Sequence, residues 1–200
     1  PVIILHCATT NPGKLREFRL AAETYAPGLA DVVSLPGLAG IPPVEETGDT
    51  FEQNAIQKAL YYCAHAPGLL FADDSGLEVD ALGGAPGVLS ARFAGPDATD
   101  AANNALLLER LGSGANRTAR FVCVIALAGQ GRILRTFRGA VEGRIVHEPA
   151  GPNGFGYDPL FYYVPFGCTF GEVSADRKLG VSHRGAALKA MFEWLAAGGR

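Results

Sequence analysis

Apolar and polar positions follow two rhythms along this chain. Val2-Ile3-Ile4-Leu5, followed by Cys7-Ala8, is an apolar run that reads as a buried strand. It breaks at Thr9-Thr10-Asn11-Pro12-Gly13. Leu15, Phe18, Ala22 and Tyr25 then recur at helical spacing until Pro27-Gly28. Asp31 to Leu35 predicts a short strand, and residues 36–48 form a Gly/Pro-rich loop carrying Glu45-Glu46. Thr50-Phe51-Glu52-Gln53 has the capping-box pattern and opens a helix to about Ala66, with Ala55, Ile56, Ala59, Leu60 and Cys63 inward.

Leu69 to Asp73 predicts a strand that ends in an acidic turn at Ser75-Gly76. Asp97 to Gly112 predicts a helix, with Thr99 or Asp100 as its cap and Leu107, Leu108 and Leu111 inward. From Arg120 the rhythm shortens. Phe121–Leu127, a Gly129-Gln130-Gly131 turn and Ile133–Val146 predict a long hairpin, and Phe161–Val164 a further strand. Leu188, Met191, Phe192 and Leu195 mark a last helix over Arg184–Ala197. Helices alternate with strands early and a β-rich stretch follows, so the fold class is α/β with a mixed sheet.

The 200 residues suit one large domain or two lobes around a cleft, and 48% hydrophobic content indicates a folded globule. A net charge of −3 argues against coating a nucleic-acid polymer but leaves room for a nucleotide, whose phosphates need only local cations. No apolar run reaches membrane-spanning length, and the N-terminus lacks the plan of a signal peptide. Pro1 fits removal of a start methionine. Cys7, Cys63, Cys123 and Cys168 form no C-x-x-C pair and read as free thiols of a reducing cytoplasm. His6 reads as a packed strand residue, His65 and His147 as surface positions.

The candidate chemistry centres on Asp73, Asp74, Glu78 and Asp80, four acids within eight positions after the apolar run Leu69-Leu70-Phe71. Like charges at the end of a buried run repel and are costly to desolvate, and a hard divalent cation such as Mg²⁺ relieves both problems. Asp73 and Asp74 face opposite ways in an extended chain, so one of them is the principal ligand or base; Asp74, nearer the turn, is favoured. The Thr9-Thr10-Asn11-Pro12-Gly13-Lys14 junction offers N–H groups at a helix start beside a lysine, which suits an anion as well as it suits a plain capped turn. Asn54 and Lys58 share one helix face. Gly154-Phe155-Gly156 is too short for a dinucleotide fingerprint, but an aromatic between loop glycines can stack on a flat ring. Ser182-His183-Arg184-Gly185 opens the last helix beside a cation.

Taken together, these segments resemble the inosine/xanthosine triphosphate pyrophosphatase family over nearly the whole chain. The matching blocks are Thr9–Lys14 with Glu17, Glu45–Gly48 leading to Phe51, Asn54, Ala55 and Lys58, Ala72–Leu77 through Gly83–Gly87 and Ser90–Phe93, Gly154–Pro159, and Lys178 with Ser182–Gly185. The resemblance implies an elongated mixed sheet with helices, in one nucleotide pyrophosphatase domain (1–200) whose two lobes flank a central active-site cleft. It also implies a homodimer and Mg²⁺-dependent hydrolysis of ITP, dITP or XTP to the monophosphate and pyrophosphate. By that resemblance Thr9, Thr10, Asn11, Pro12, Gly13 and Lys14 cradle the triphosphate and Lys58 neutralises charge. Glu46 and Asp74 hold the metal, Asp74 accepts the proton of the attacking water, and Ser75 touches substrate. Phe155, Gly156, Tyr157 and Asp158, with Lys178, His183 and Arg184, enclose the base. A septum-inhibitor-type pyrophosphatase acting on modified pyrimidines and a non-catalytic nucleotide-binding module are the alternatives.

Overall fold

In the computed structural model, which describes residues 1–199, the first apolar run forms strand β1 (Ile3–Cys7) and the chain enters helix α1 (Pro12–Tyr25) at Asn11. Proline at the first helical position lacks an N–H that would be unpaired there anyway, and the Asn11 side chain accepts from the backbone N–H groups of Gly13 and Lys14. Strand β2 (Ala30–Ser34) returns parallel to β1, Ile3 opposite Ala30. Helix α2 (Phe51–Cys63) is capped by Thr50, which accepts from the Gln53 N–H, but Gln53 reaches back to Asp49, so the box closes one residue early. Phe51, Asn54, Ala55, Ala59, Tyr62 and Cys63 are buried. Leu60, expected inward, is 40% exposed because it lies about 100° round the helix from Ala59.

The acidic segment departs most from expectation. Strand β3 spans Leu70–Val79, so Asp73, Asp74, Ser75 and Gly76 lie within the strand and not at its tip. β3 lies between β1 and β4 in the sheet; its pairing with β1 is at Leu70 and Phe71, and the extended backbone continues beyond that pairing through residues with turn propensity. Helix α3 (Asp100–Leu111) begins three residues later than expected, at the Thr99 cap. The hairpin is longer than expected. Strands β4 (Thr118–Gly129) and β5 (Arg132–Ile145) meet at Gln130-Gly131, with φ of 53° and 74°, the left-handed pair that matches strand twist.

Strand β6 (Phe161–Tyr163) pairs antiparallel with β5, and the two-residue strand β7 (Cys168–Thr169) pairs with β6. Helix α4 (Ala175–Leu179), too short to leave a periodic signal, precedes α5 (His183–Ala196). The strand order is β2-β1-β3-β4-β5-β6-β7, parallel at the β2 end and antiparallel at the β7 end, which is the mixed α/β sheet expected.

The chain gathers into two compact units: residues 1–74, 123–139 and 184–200, and residues 75–122 and 140–183. In the first, Leu5, Phe18, Phe71, Ile125, Leu188 and Phe192 are fully buried or nearly so, and the rings of Phe18 and Phe71 meet edge to face at 5.0 Å. In the second, Leu77, Leu107, Phe121, Tyr157, Phe161 and Phe170 belong to one cluster, with Phe121 and Phe161 at 4.4 Å. Each such side chain contributes about 1.5–3 kcal/mol on burial. His6 is buried with its ring against the Leu69 carbonyl, whereas His65 and His147 are exposed, as expected. All four cysteines are free, three of them buried.

Candidate active site

In the first unit, β3 places Asp73 and Asp74 on opposite sides, and they acquire different partners. Asp74 accepts from the Asn54 amide at 3.2 Å and from Lys58 Nζ at 3.3 Å. The same ammonium lies 2.8 Å from Glu46 Oε1. Lys58 therefore bridges the two carboxylates expected to hold a metal. Asn54 and Lys58 sit one turn apart on α2, and the Asn54 carbonyl accepts from the Gly48 N–H, which fixes the amide's orientation.

Asp73 meets a different set. Lys14 Nζ is 3.0 Å from it, Arg184 Nε 3.5 Å, and Arg184 is held in turn by Glu17 at 2.6 Å. Both aspartates are buried, yet their acidities diverge. Burial pushes Asp73 up, but Lys14, Arg184 and Lys58 outweigh it and hold the carboxyl well below the ordinary value. Burial also pushes Asp74 up, aided by Glu46 and Asp73, and here Lys58 and Lys14 do not offset it. Burial alone would lower Lys58; the charges of Asp74, Asp73 and Glu46 reverse that and raise it. Asp73 is held as an anion, while the Asp74 carboxyl binds a proton more readily than an ordinary aspartate.

Among the described residues no three His, Cys, Asp or Glu converge as a ready metal cage. Glu46 and Asp74 are two hard oxygen donors around one shared cation, a set that suits an octahedral ion keeping several waters. At the Thr9–Lys14 junction, Asn11 already occupies the Gly13 and Lys14 N–H groups, and the Asn11 N–H goes to Thr9 Oγ1. Two donors that the sequence leaves open to an anion are thus engaged by the cap.

The second unit holds the glycine-rich loop, Ser75 at the start of its chain segment, and His183. Asp158 is buried and pairs with buried Lys178 at 2.5 Å; it also accepts from the Phe155 N–H at 3.1 Å. Gly154 has φ of 72°, and a Cβ there would clash with the Asp158 carboxylate, so glycine is the residue that fits. Lys178 Nζ lies 4.8 Å from the centre of the half-buried Phe155 ring. Tyr157 is buried and donates its hydroxyl to the Ser90 carbonyl at 2.6 Å. His183 stacks on Phe121 at 4.6 Å. Arg184, adjacent in sequence, belongs to the first unit and to Asp73 and Glu17.

Two anchors escape the sequence reading. Asp100 accepts from the Gly156 N–H at 2.8 Å, and Asn104 donates to the Gly156 carbonyl at 3.2 Å. Their i, i+4 spacing, polar on an otherwise leucine-rich helix, is the signal that could have found them.

A family model described as the Ham1 family matches residues 5–194. The chain belongs to the Ham1 family. Among its relatives is a dITP/XTP pyrophosphatase of an Exiguobacterium species, 52% identical over 91% of each chain. The Ham1 protein of Staphylococcus aureus superposes with a TM-score of 0.84 at 38% identity, covering 98% of this chain and 99% of that one. A Ham1 protein from Coxiella burnetii gives 0.86 at 37% identity, covering 98% and 100%. The Exiguobacterium relative carries an enzyme's name, and this chain covers 91% of its length.

Proposed function

We propose that this Ham1-family chain hydrolyses non-standard purine nucleoside triphosphates, ITP, dITP and XTP, to the monophosphate and pyrophosphate. The observation that carries the reading is the asymmetry of the two aspartates. Asp73 is held by Lys14 and Arg184 at 3.0 and 3.5 Å, while Asp74 shares Lys58 with Glu46, and its carboxylate is the one we assign as proton acceptor. The name of the Exiguobacterium relative supports the substrate class.

In this reading a water attacks the α-phosphorus. Its proton passes to Asp74 Oδ, the new P–O bond forms, and the bond from the α-phosphorus to the bridging oxygen breaks, so pyrophosphate leaves. Lys58, kept protonated by its acidic neighbours, stabilises the charge that builds on the phosphate. Thr9 to Lys14 take the triphosphate end, and Ser75 touches substrate. Glu46 and Asp74 would hold Mg²⁺, which supplies charge neutralisation at the phosphate oxygens. Phe155 offers a flat face to the purine, in a loop held by Asp158 and Lys178. Gly156, Tyr157, His183 and Arg184 complete the base-binding set, and an unmatched donor facing a 6-amino group rejects ATP. The family resemblance supports a cytoplasmic homodimer, and no described helix is long and apolar enough to cross a membrane.

Pyrophosphate release from ITP, XTP, GTP, dTTP and ATP with Mg²⁺ tests the proposal. Release from ITP and XTP well above the other three is expected. Turnover of dTTP alone points to a pyrimidine enzyme, and no release from any purine defeats the reading.

A further inference from the structure

The Gly154–Asp158 loop has both backbone groups of its central glycine held by one helix. Asp100 takes the Gly156 N–H and Asn104 holds the Gly156 carbonyl, from positions one turn apart on α3. The next residue of that helix face, Asn103, accepts from the Ala94 N–H at 2.8 Å and donates to the Ala91 carbonyl at 3.1 Å, pinning the segment that follows Ser90. Tyr157 closes the triangle by bonding to the Ser90 carbonyl. Asn104 is buried beside Leu107 and its Oδ1 has no hydrogen-bond partner among the described residues. A leucine would fill that place without burying an orphaned acceptor, so the bond to Gly156 is what the amide contributes there.

We propose that Asp100 and Asn104 are positioning residues for base recognition. By fixing the peptide groups on both sides of Gly156, they hold the Phe155 ring as a preformed platform for the flat base of the nucleotide. The inference rests on the assignment of this loop to the base. Neither residue contacts the reacting phosphate in this account, so their loss acts on affinity through the base and leaves the chemical step alone. A carboxylate accepting a backbone N–H makes a charge-assisted bond, stronger than the neutral amide-to-carbonyl bond of Asn104. Asp100 is accordingly the more important of the pair.

The test uses Asp100→Ala, Asp100→Asn and Asn104→Leu in the full chain, with Phe155→Ala as reference and thermal melts to confirm folding. KM and kcat are measured for ITP, together with inhibition by inorganic tripolyphosphate, which has no base. Asp100→Ala should raise the KM for ITP about tenfold and Asn104→Leu about threefold, the scale of one lost hydrogen bond each. The kcat and the tripolyphosphate inhibition constant should stay within about twofold. Asp100→Asn, which keeps an acceptor for the Gly156 N–H, should recover most of the loss. An unchanged or lower KM in Asp100→Ala, with Phe155→Ala still impaired, overturns the positioning role and spares the base-loop assignment. Parallel weakening of ITP and tripolyphosphate overturns it too, since that marks a general structural fault. If Phe155→Ala is itself silent, the assignment of the loop to the base fails, and the inference with it.

Discussion

Each unit of this molecule contains a buried aspartate paired with a lysine, and the two pairs differ in what surrounds them. Asp158 and Lys178 meet at 2.5 Å, and Asp158 also accepts from the Phe155 N–H. Lys58 in the other unit is shared by Asp74 and Glu46, at 3.3 and 2.8 Å. A pair in which one acid meets one base is balanced in charge and serves as architecture. A shared lysine leaves a surplus of negative charge in a buried place, and burial answers by raising the pKa of Asp74. Surplus is the property that recruits a proton or a cation; balance is the property that holds a loop.

Replacing Asp74 breaks the comparison most sharply. Asp74→Asn should lower kcat for ITP by at least about a thousandfold, as expected when the proton acceptor is lost. Stability should change by less than about 1 kcal/mol, because Lys58 keeps Glu46 and one buried charge is removed. Pyrophosphate release and thermal melts measure the two effects. A variant that keeps most of its rate moves the base to Glu46 or Asp73. Asp158→Asn should behave in the opposite way. It strands a buried ammonium and should cost about 3–5 kcal/mol in urea unfolding. An unaltered urea midpoint would show that the pair is not architectural.

Much of this contrast was legible in the sequence. The shared face of Asn54 and Lys58 follows from i, i+4 spacing, and adjacency alone sends Asp73 and Asp74 to opposite sides. The strand through Ser75-Gly76 was not legible, because membership of the sheet beside β4 overrides local turn propensity. Nor was the capture of Gly156 by Asp100: its i, i+4 spacing with Asn104 marks a polar face, but nothing local points that face to a glycine 56 residues away. The use of Asn11 as a cap was foreseeable in kind, since asparagine before proline is a strong helix start. Its consequence, that the cap occupies the Gly13 and Lys14 N–H groups, emerges only from the bonds themselves.

The neighbouring aspartates predict different responses to acid. The folded pKa of Asp73 is lowered, so its contribution to stability is present above the ordinary carboxylate value of about 3.9 and is lost as pH falls below it. Asp74 has the opposite sign: its pKa is raised by folding, so the stability it contributes is present at low pH and lost as pH rises through the folded value. Asp73→Asn should therefore lower stability at pH 7 by about 2–3 kcal/mol and flatten the acid limb below about pH 4. Asp74→Asn should leave that limb in place. Urea unfolding from pH 7 down to 3 reads both, and identical acid limbs in wild type and Asp73→Asn would remove Asp73 from the locked network.

The smallest expected effect sharpens the comparison by separating surplus from burial. Arg120 meets Asp80 at 2.9 Å, Glu142 at 2.9 Å and Glu78 at 3.6 Å, so three acids share one cation and the charge surplus exceeds that around Lys58. Those groups are a quarter to two-thirds exposed, however, and water and salt screen them. If surplus charge alone made a site, Arg120→Ala would change stability or catalysis. If burial is the deciding condition, as the raised Asp74 and the buried Asp158 pair argue, Arg120→Ala should cost less than about 1 kcal/mol and leave kcat and KM for ITP unmoved. Urea unfolding at low and at 0.5 M salt is the measurement. A loss above about 2 kcal/mol that persists in high salt would mean these acids are coupled as strongly as buried ones, and the distinction drawn from Lys58 and Lys178 would have to be abandoned.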